Sequence, residues 1–156
     1  MTVIGAVTAC LPRLMLMTTT STNTDTFRRF INNLVFDMRA VLASNAQRPI
    51  LILDNHGAHR NLVNLSMLRQ HFDVEFQPSY SSPVNSIETA WALIKKAYLE
   101  KLYRRDKNLR TQKVFVRFLE GVLEEQRRVI KPQSILRSNE KYVEAHIQLG
   151  QLNHSF

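Results

Sequence analysis

The sequence predicts an α/β fold in which a mixed β-sheet is flanked by helices. Two β-rich runs, at residues 2–9 and 13–20, are separated by a short segment that contains Pro12, which indicates an antiparallel hairpin. Four consecutive apolar residues at 50–53 indicate a strand that is buried on both faces. Helical and strand-like patterns then alternate along the chain, and that order is typical of sheets with helices on their faces.

The helices are predicted from apolar residues that recur every three or four positions. A first helix over residues 24–43 follows several side chains that commonly cap helices. Leu62, Leu65 and Leu68 indicate a short helix between residues 59 and 70, and a short strand follows at 74–76. The rest of the chain is predicted to form helices at about 85–105, 111–130 and 133–149.

Positive charge is concentrated in one part of the chain. The protein has 156 residues, with 21 Lys and Arg against 13 Asp and Glu, which gives a net charge of +8. Residues 1–94 contain 7 basic and 6 acidic side chains, whereas residues 95–141 contain 14 basic and 6 acidic ones. Such a block predicts a polyanionic partner such as nucleic acid. A pair of well-solvated helices is the alternative explanation.

The composition indicates in which cellular compartment the protein is expected. Hydrophobic residues make up 44% of the sequence, which is ordinary for a globular protein. No apolar run approaches the roughly 20 residues of a membrane helix. The single cysteine, Cys10, cannot form an internal disulfide and suits a reducing compartment, and no secretory leader is recognisable. We therefore expect an intracellular protein with no membrane segment, located in the nucleus if the host is a eukaryote.

Two carboxylates are the candidate catalytic residues. Asp54 directly follows the apolar strand, and the carboxyl ends of strands are where sites open in α/β sheets. Glu88 falls in the first turn of a predicted helix. Two carboxylates that come together repel each other unless a cation compensates them. Oxygen ligands favour Mg²⁺ or Mn²⁺ over zinc, and two such ions suit displacement reactions at phosphorus.

Each of these assignments has a structural alternative, which for Asp54 and Asn55 is the turn that normally ends a buried strand. Asn85 and Glu88 match a helix capping box, in which Glu88 would bond to backbone and not to a cation. Lys95 shares the helix face of Glu88, which favours a groove for a phosphate backbone. His59 is either a group that caps the following helix or one that hydrogen-bonds near Asp54.

Two motifs carry a resemblance to a known family. The segment Leu-Ile-Leu-Asp-Asn-His-Gly-Ala-His at residues 51–59 resembles the second-aspartate motif of mariner-like DDE transposases. The segment Tyr-Ser-Ser-Pro-Val-Asn-Ser-Ile-Glu-Thr-Ala-Trp at residues 80–91 is similar to that family's third-acid motif, with Ser86 where the family commonly has proline. The resemblance implies a ribonuclease-H-like fold whose three carboxylates use two Mg²⁺ or Mn²⁺ ions to cleave and transfer DNA strands.

The same resemblance assigns roles to individual residues. Asp54 would be the second metal ligand and Glu88 the third, supported by Asn55, His59 and Asn85. DNA would be the partner. The block of positive charge, and not the resemblance, predicts that DNA is bound through Lys95, Lys96, Lys101, Arg104 and Arg105. A homodimer is a further expectation for the full-length protein.

One element of the family's pattern is missing from this sequence. The first aspartate would lie on a strand before Met1, and Asp25 and Asp37, on the first predicted helix, cannot replace it. We therefore expect residues 1–130 to be a truncated DDE catalytic domain without its first strand, inactive alone, and residues 131–156 to be a C-terminal helical tail. The alternatives are a non-enzymatic nucleic-acid-binding remnant and, with a poorer motif fit, a nuclease for RNA–DNA hybrids.

Overall fold

The protein is described by a computed structural model that covers residues 1–44, 48–78, 85–104 and 112–153, without the side chains of residues 112, 142 and 145–153. The chain divides into two compact units. The first unit comprises Met1–Ile4 and Leu16–Ser81, and the second comprises Gly5–Met15 and Ser82–Phe156. The predicted domain boundary after residue 130 stays a prediction.

The predicted order of strands and helices is confirmed. The elements, in chain order, are β1 (Thr2–Ala6), β2 (Met15–Thr19), α1 (Thr24–Ser44), β3 (Ile50–Leu53), α2 (Leu62–Arg69), β4 (Asp73–Phe76), α3 (Ser86–Arg104), α4 (Gln112–Val129) and α5 (Pro132–Asn153). Most bounds differ from the prediction by at most two residues, whereas β1 ends three residues early, α2 begins three residues late and α5 extends four residues further.

The strands form two short sheets. β1 and β2 make an antiparallel pair, as the hairpin prediction requires. β3 and β4 are parallel, with Ile50 opposite Asp73 and Leu53 opposite Phe76. The parallel pair is joined through α2, because parallel neighbours need a crossover connection. The α/β class is therefore confirmed, with the described strands shared between two sheets.

The prediction that β3 is buried on both faces is wrong for the described part of the chain. Ile50 is 68% exposed and Ile52 61% exposed, whereas Leu53 is only 9% exposed. Because side chains alternate along a strand, the two isoleucines lie on one face and Leu51 and Leu53 on the other. Among the described residues, only the leucine face is covered, which a run of four apolar residues does not reveal.

The core of the first unit lies between its helices and β4. Helix α1 packs against α2, and α2 packs against β4. Helix α1 begins after Asn23, whose Oδ1 accepts hydrogen bonds from the Asp25 and Thr26 N–H groups at 3.1 and 2.9 Å. Leu62 is 82% exposed although its spacing predicted an inward position, because α2 starts at that residue, after the cap Asn61. The buried apolar stripe of α1 is Phe27, Phe30, Ile31, Leu34 and Met38.

Helix α3 packs against both α4 and α5 in the second unit. Ala90 and Ile94 are its buried residues, while Trp91 is half-buried. The Tyr98 ring lies 5.7 Å from that of Phe118. Among the helices described, none combines the length and the apolar character needed to cross a membrane.

Candidate functional site

Asp54 is held in place by the turn that follows it. The residue comes directly after β3, and its side chain is 54% exposed. Its Oδ1 accepts a hydrogen bond from the backbone N–H of His56 at 3.0 Å. The same oxygen lies 2.7 Å from Nδ1 of His59, a close contact without the directionality of a hydrogen bond. The predicted proximity of His59 to Asp54 is therefore present.

The His59 ring is packed beneath the loop. Its side chain is 15% exposed, and its centroid lies 4.2 Å from that of Phe27 and 5.4 Å from that of His56. Burial lowers the pKa of His59 below its ordinary value of 6.5, while the charge of Asp54 opposes that shift. The folded protein therefore disfavours the protonated form of the His59 ring, although the ring lies beside the Asp54 carboxylate.

Asn55 connects this loop to the end of β4. Its Nδ2 donates to the carbonyl oxygen of Gln77 at 2.9 Å, and its Oδ1 accepts a hydrogen bond from Arg60. The Arg60 guanidinium also lies 5.0 Å from the ring centroid of Phe76. Because both polar ends of the amide are engaged, the contacts of Asn55 are those of a loop-supporting residue. Arg60 was not among the residues predicted from the sequence, because its contacts are set by the fold.

Asn64 is a second polar residue that the sequence analysis missed. It is fully buried in α2, and its Nδ2 donates to the carbonyl oxygens of Thr24 and Ala58, both at 3.1 Å. These bonds tie the start of α1 to the loop between Asp54 and His59. An asparagine between the apolar positions of a short helix is the only sign of this role in the sequence.

Glu88 lies on an exposed face at the start of α3. Asn85 caps the helix: its Oδ1 accepts from the Ile87 N–H at 3.3 Å, and its carbonyl oxygen accepts from the Glu88 N–H at 3.0 Å. The Glu88 carboxylate makes no hydrogen bond or ion pair with the residues that the structure describes. The reciprocal half of the predicted capping box is thus not formed there.

The first turn of α3 is also bound by a side chain from α5. Asn139 is 9% exposed, its Nδ2 donates to Ser86 Oγ at 2.9 Å, and its Oδ1 accepts from Thr89 Oγ1 at 3.4 Å. Ser86 and Thr89 stand on either side of Glu88 in the sequence. Nothing in the local pattern indicated Asn139, because its partners are about fifty residues away.

The predicted nucleic-acid-binding residues differ in their surroundings. Lys95, Lys96 and Arg104 are exposed on α3. Lys101 is less available, because it forms an ion pair with Glu125 of α4. Arg105 lies outside the described residues, as do Tyr80 to Val84 of the third-acid motif.

The two candidate carboxylates belong to different units, Asp54 to the first and Glu88 to the second. Within the described ranges, no group of three or more His, Cys, Asp or Glu side chains is arranged to hold a metal ion. Each carboxylate, taken by itself, is exposed and has the oxygen donors that hard divalent cations prefer.

Comparison with known proteins gives one finding. A family model described as DDE superfamily endonuclease matches residues 1–110. That range contains both candidate carboxylates and every element from β1 to α3, whereas α4 and α5 lie beyond it. No curated protein gives a significant match to the chain.

Proposed function

Because the chain belongs to the DDE superfamily endonucleases, we propose that it is a catalytic-domain fragment of a mariner-like transposase that cleaves and transfers DNA strands. Membership supports a nuclease of the transposase or endonuclease type that acts on DNA. The proposal of a mariner-like transposase is supported by one observation: two exposed carboxylates lie inside the range that the family model matches. Asp54 stands at the carboxyl end of a strand, and Glu88 in the first turn of a helix.

The donor chemistry of both residues fits Mg²⁺ or Mn²⁺. Glu88 has no described partner that competes for its oxygens, and Asp54 uses Oδ1 for its local contacts, which leaves Oδ2 for a ligand. Divalent cations bound by such carboxylates supply charge stabilisation at a phosphate and activate a water or hydroxyl nucleophile. We propose two ions in a complete domain.

The remaining residues act on the carboxylates and not on the substrate. The His56 N–H holds the Asp54 carboxylate by a hydrogen bond, the His59 ring lies against the same oxygen, and Asn55 joins their loop to the end of β4. Asn85 starts the helix that presents Glu88. Positioning of this kind is most of what a protein contributes to phosphoryl transfer.

We propose that activity requires the first aspartate of the triad, which none of the residues assigned here supplies, so that the 156-residue chain is inactive by itself. Within the described part of the chain, the face of β3 that carries Ile50 and Ile52 is exposed, which leaves room for a neighbouring strand. Loss of one ligand of three weakens metal binding and alignment together.

The test is plasmid nicking by a version extended with a strand that carries the first aspartate. Nicking should require Mg²⁺ or Mn²⁺, and Asp54→Asn and Glu88→Gln should each abolish it while leaving the circular dichroism spectrum unchanged. Asp73→Asn, on an exposed acid of β4, is the matched control and should nick normally. Metal-dependent nicking that survives both site substitutions would remove the roles proposed for Asp54 and Glu88.

A second candidate function is nucleic-acid binding without catalysis. The exposed Lys95, Lys96 and Arg104 of α3 favour it, because phosphate contacts need cations and no metal site. An extended version that binds DNA but never nicks it would favour this function.

A homodimer of the full-length protein and a nuclear location in a eukaryotic host are further parts of the proposal.

A further inference from the structure

We propose that Asn139 is a positioning residue for Glu88, so that helix α5 helps to present a metal-ligating carboxylate. This inference rests on the proposed function, since it takes Glu88 to be a metal ligand. Asn139 binds α3 by hydrogen bonds to two hydroxyl groups. It acts through Ser86 and Thr89, the neighbours of Glu88 in the first turn of α3.

The first turn of a helix needs such support. Its N–H groups lack partners within the helix, and these turns fray easily. Asn85 binds backbone N–H groups at the start of α3. This cap restrains the backbone where the helix begins, but it does not restrain the side of the first turn that faces α5. Asn139 binds that side through two hydroxyl groups. A ligand held on a restrained turn loses less conformational entropy when it binds a cation.

The burial of Asn139 makes these bonds persistent. The residue is 9% exposed, and a buried amide that loses its partners incurs a desolvation penalty. Helices α3 and α5 pack against each other in the second unit, so the amide cannot turn to solvent without disturbing that packing. The side chain therefore keeps one arrangement.

The Ser86 hydroxyl is one of the two groups on which this arrangement depends. The related motif commonly has proline at this position, and a proline side chain can neither donate nor accept a hydrogen bond. Here the serine hydroxyl accepts from Asn139. Asn139 itself lies beyond the residues 1–110 that the family model matches, so the family match assigns it no role.

The experiment measures Mn²⁺ affinity of the full 156-residue chain by electron paramagnetic resonance of the free ion. Glu88→Gln establishes how much of the binding depends on Glu88. Asn139→Leu should then weaken Mn²⁺ binding by about tenfold, the lower end of what residues that orient metal ligands contribute. Ser86→Ala, which leaves the core packing intact, should weaken it in the same direction. Ile135→Val, in the core of α5, is the control and should leave the affinity unchanged.

The double variant separates positioning from general destabilisation. In the Glu88→Gln background, Asn139→Leu should have no further effect on Mn²⁺ affinity, although it lowers the unfolding midpoint as much as in the native background. If Glu88→Gln weakens binding while Asn139→Leu and Ser86→Ala do not, the positioning role is wrong and the proposed function stands. If Glu88→Gln has no effect, the metal role of Glu88 is wrong, and this inference fails with it.

Discussion

His59 is a buried imidazole beside a carboxylate, and two effects on its pKa compete. Burial disfavours the protonated ring and the charge of Asp54 favours it, and burial dominates, so that the pKa lies below 6.5. An unfolded chain therefore takes up a proton at a pH where the folded chain does not. The stability that His59 contributes is complete above about pH 6.5 and is lost as the pH falls through the folded-state pKa.

We predict that the free energy of unfolding falls between pH 7 and pH 5, with a His59 contribution of at most about 1.4 kcal/mol per pH unit. Urea denaturation at several pH values measures it. His59→Gln, which is neutral throughout, should flatten the profile. If acidification instead stabilises the native protein relative to His59→Gln, the Asp54 charge outweighs burial and the assigned direction is wrong.

We predict that replacing Asn64 by an apolar residue destabilises the protein, although Asn64 is a polar residue in a buried position. Asn64→Leu removes the donor that serves Thr24 and Ala58, and the buried carbonyl group of Ala58 and the part-buried one of Thr24 then lack that partner. We expect the free energy of unfolding to fall by about 1–3 kcal/mol, measured by urea denaturation. The matched control is Asn32→Leu, on the exposed face of α1, which should change it by less than about 0.5 kcal/mol. Equal effects would contradict the bridging role.

Strand β3 is the element whose environment differs most from its sequence pattern. Ile50 to Leu53 are all apolar, yet one face is exposed and the other covered. Apolar periodicity indicates which residues can be buried, but the cover on each face is provided by other parts of a protein. The strand itself was predictable, and the exposure of its isoleucine face was not.

Neighbouring substitutions in β3 test this asymmetry. Leu53→Ala should lower the free energy of unfolding by about 2–5 kcal/mol, as for a core truncation. Ile52→Thr should change it by less than about 0.5 kcal/mol, because Ile52 is 61% exposed. Thermal and urea denaturation of the 156-residue chain supply the measurement. A comparable loss for both variants would mean that the isoleucine face is covered in solution.

At the scale of the whole molecule, the charge distribution predicts how DNA binding responds to salt. The net charge of +8 comes from residues 95–141, and exposed cations release counterions when they contact phosphates. We predict that Lys95→Ala weakens DNA binding regardless of sequence and reduces the slope of log K against log salt by about 1. Titrations of labelled duplexes at three salt concentrations measure this slope.

Lys101→Ala is the comparison variant, because the Lys101 ammonium group is engaged by Glu125. Its effect on the slope should be smaller than that of Lys95→Ala. An unchanged slope for Lys95→Ala would place the DNA-binding surface elsewhere. Larger losses for Lys101→Ala would show that the ion pair opens when DNA binds.

The sequence by itself determined the order of the strands and helices, the positions of Asp54 and Glu88 at element ends, and the cap formed by Asn85. These features follow from interactions within a few residues, such as apolar periodicity and the needs of a helix start. The roles of Arg60, Asn64 and Asn139 were decided only by the tertiary structure. Their hydrogen bonds join residues from 5 to 53 positions apart, and local patterns do not reveal which distant groups packing brings together.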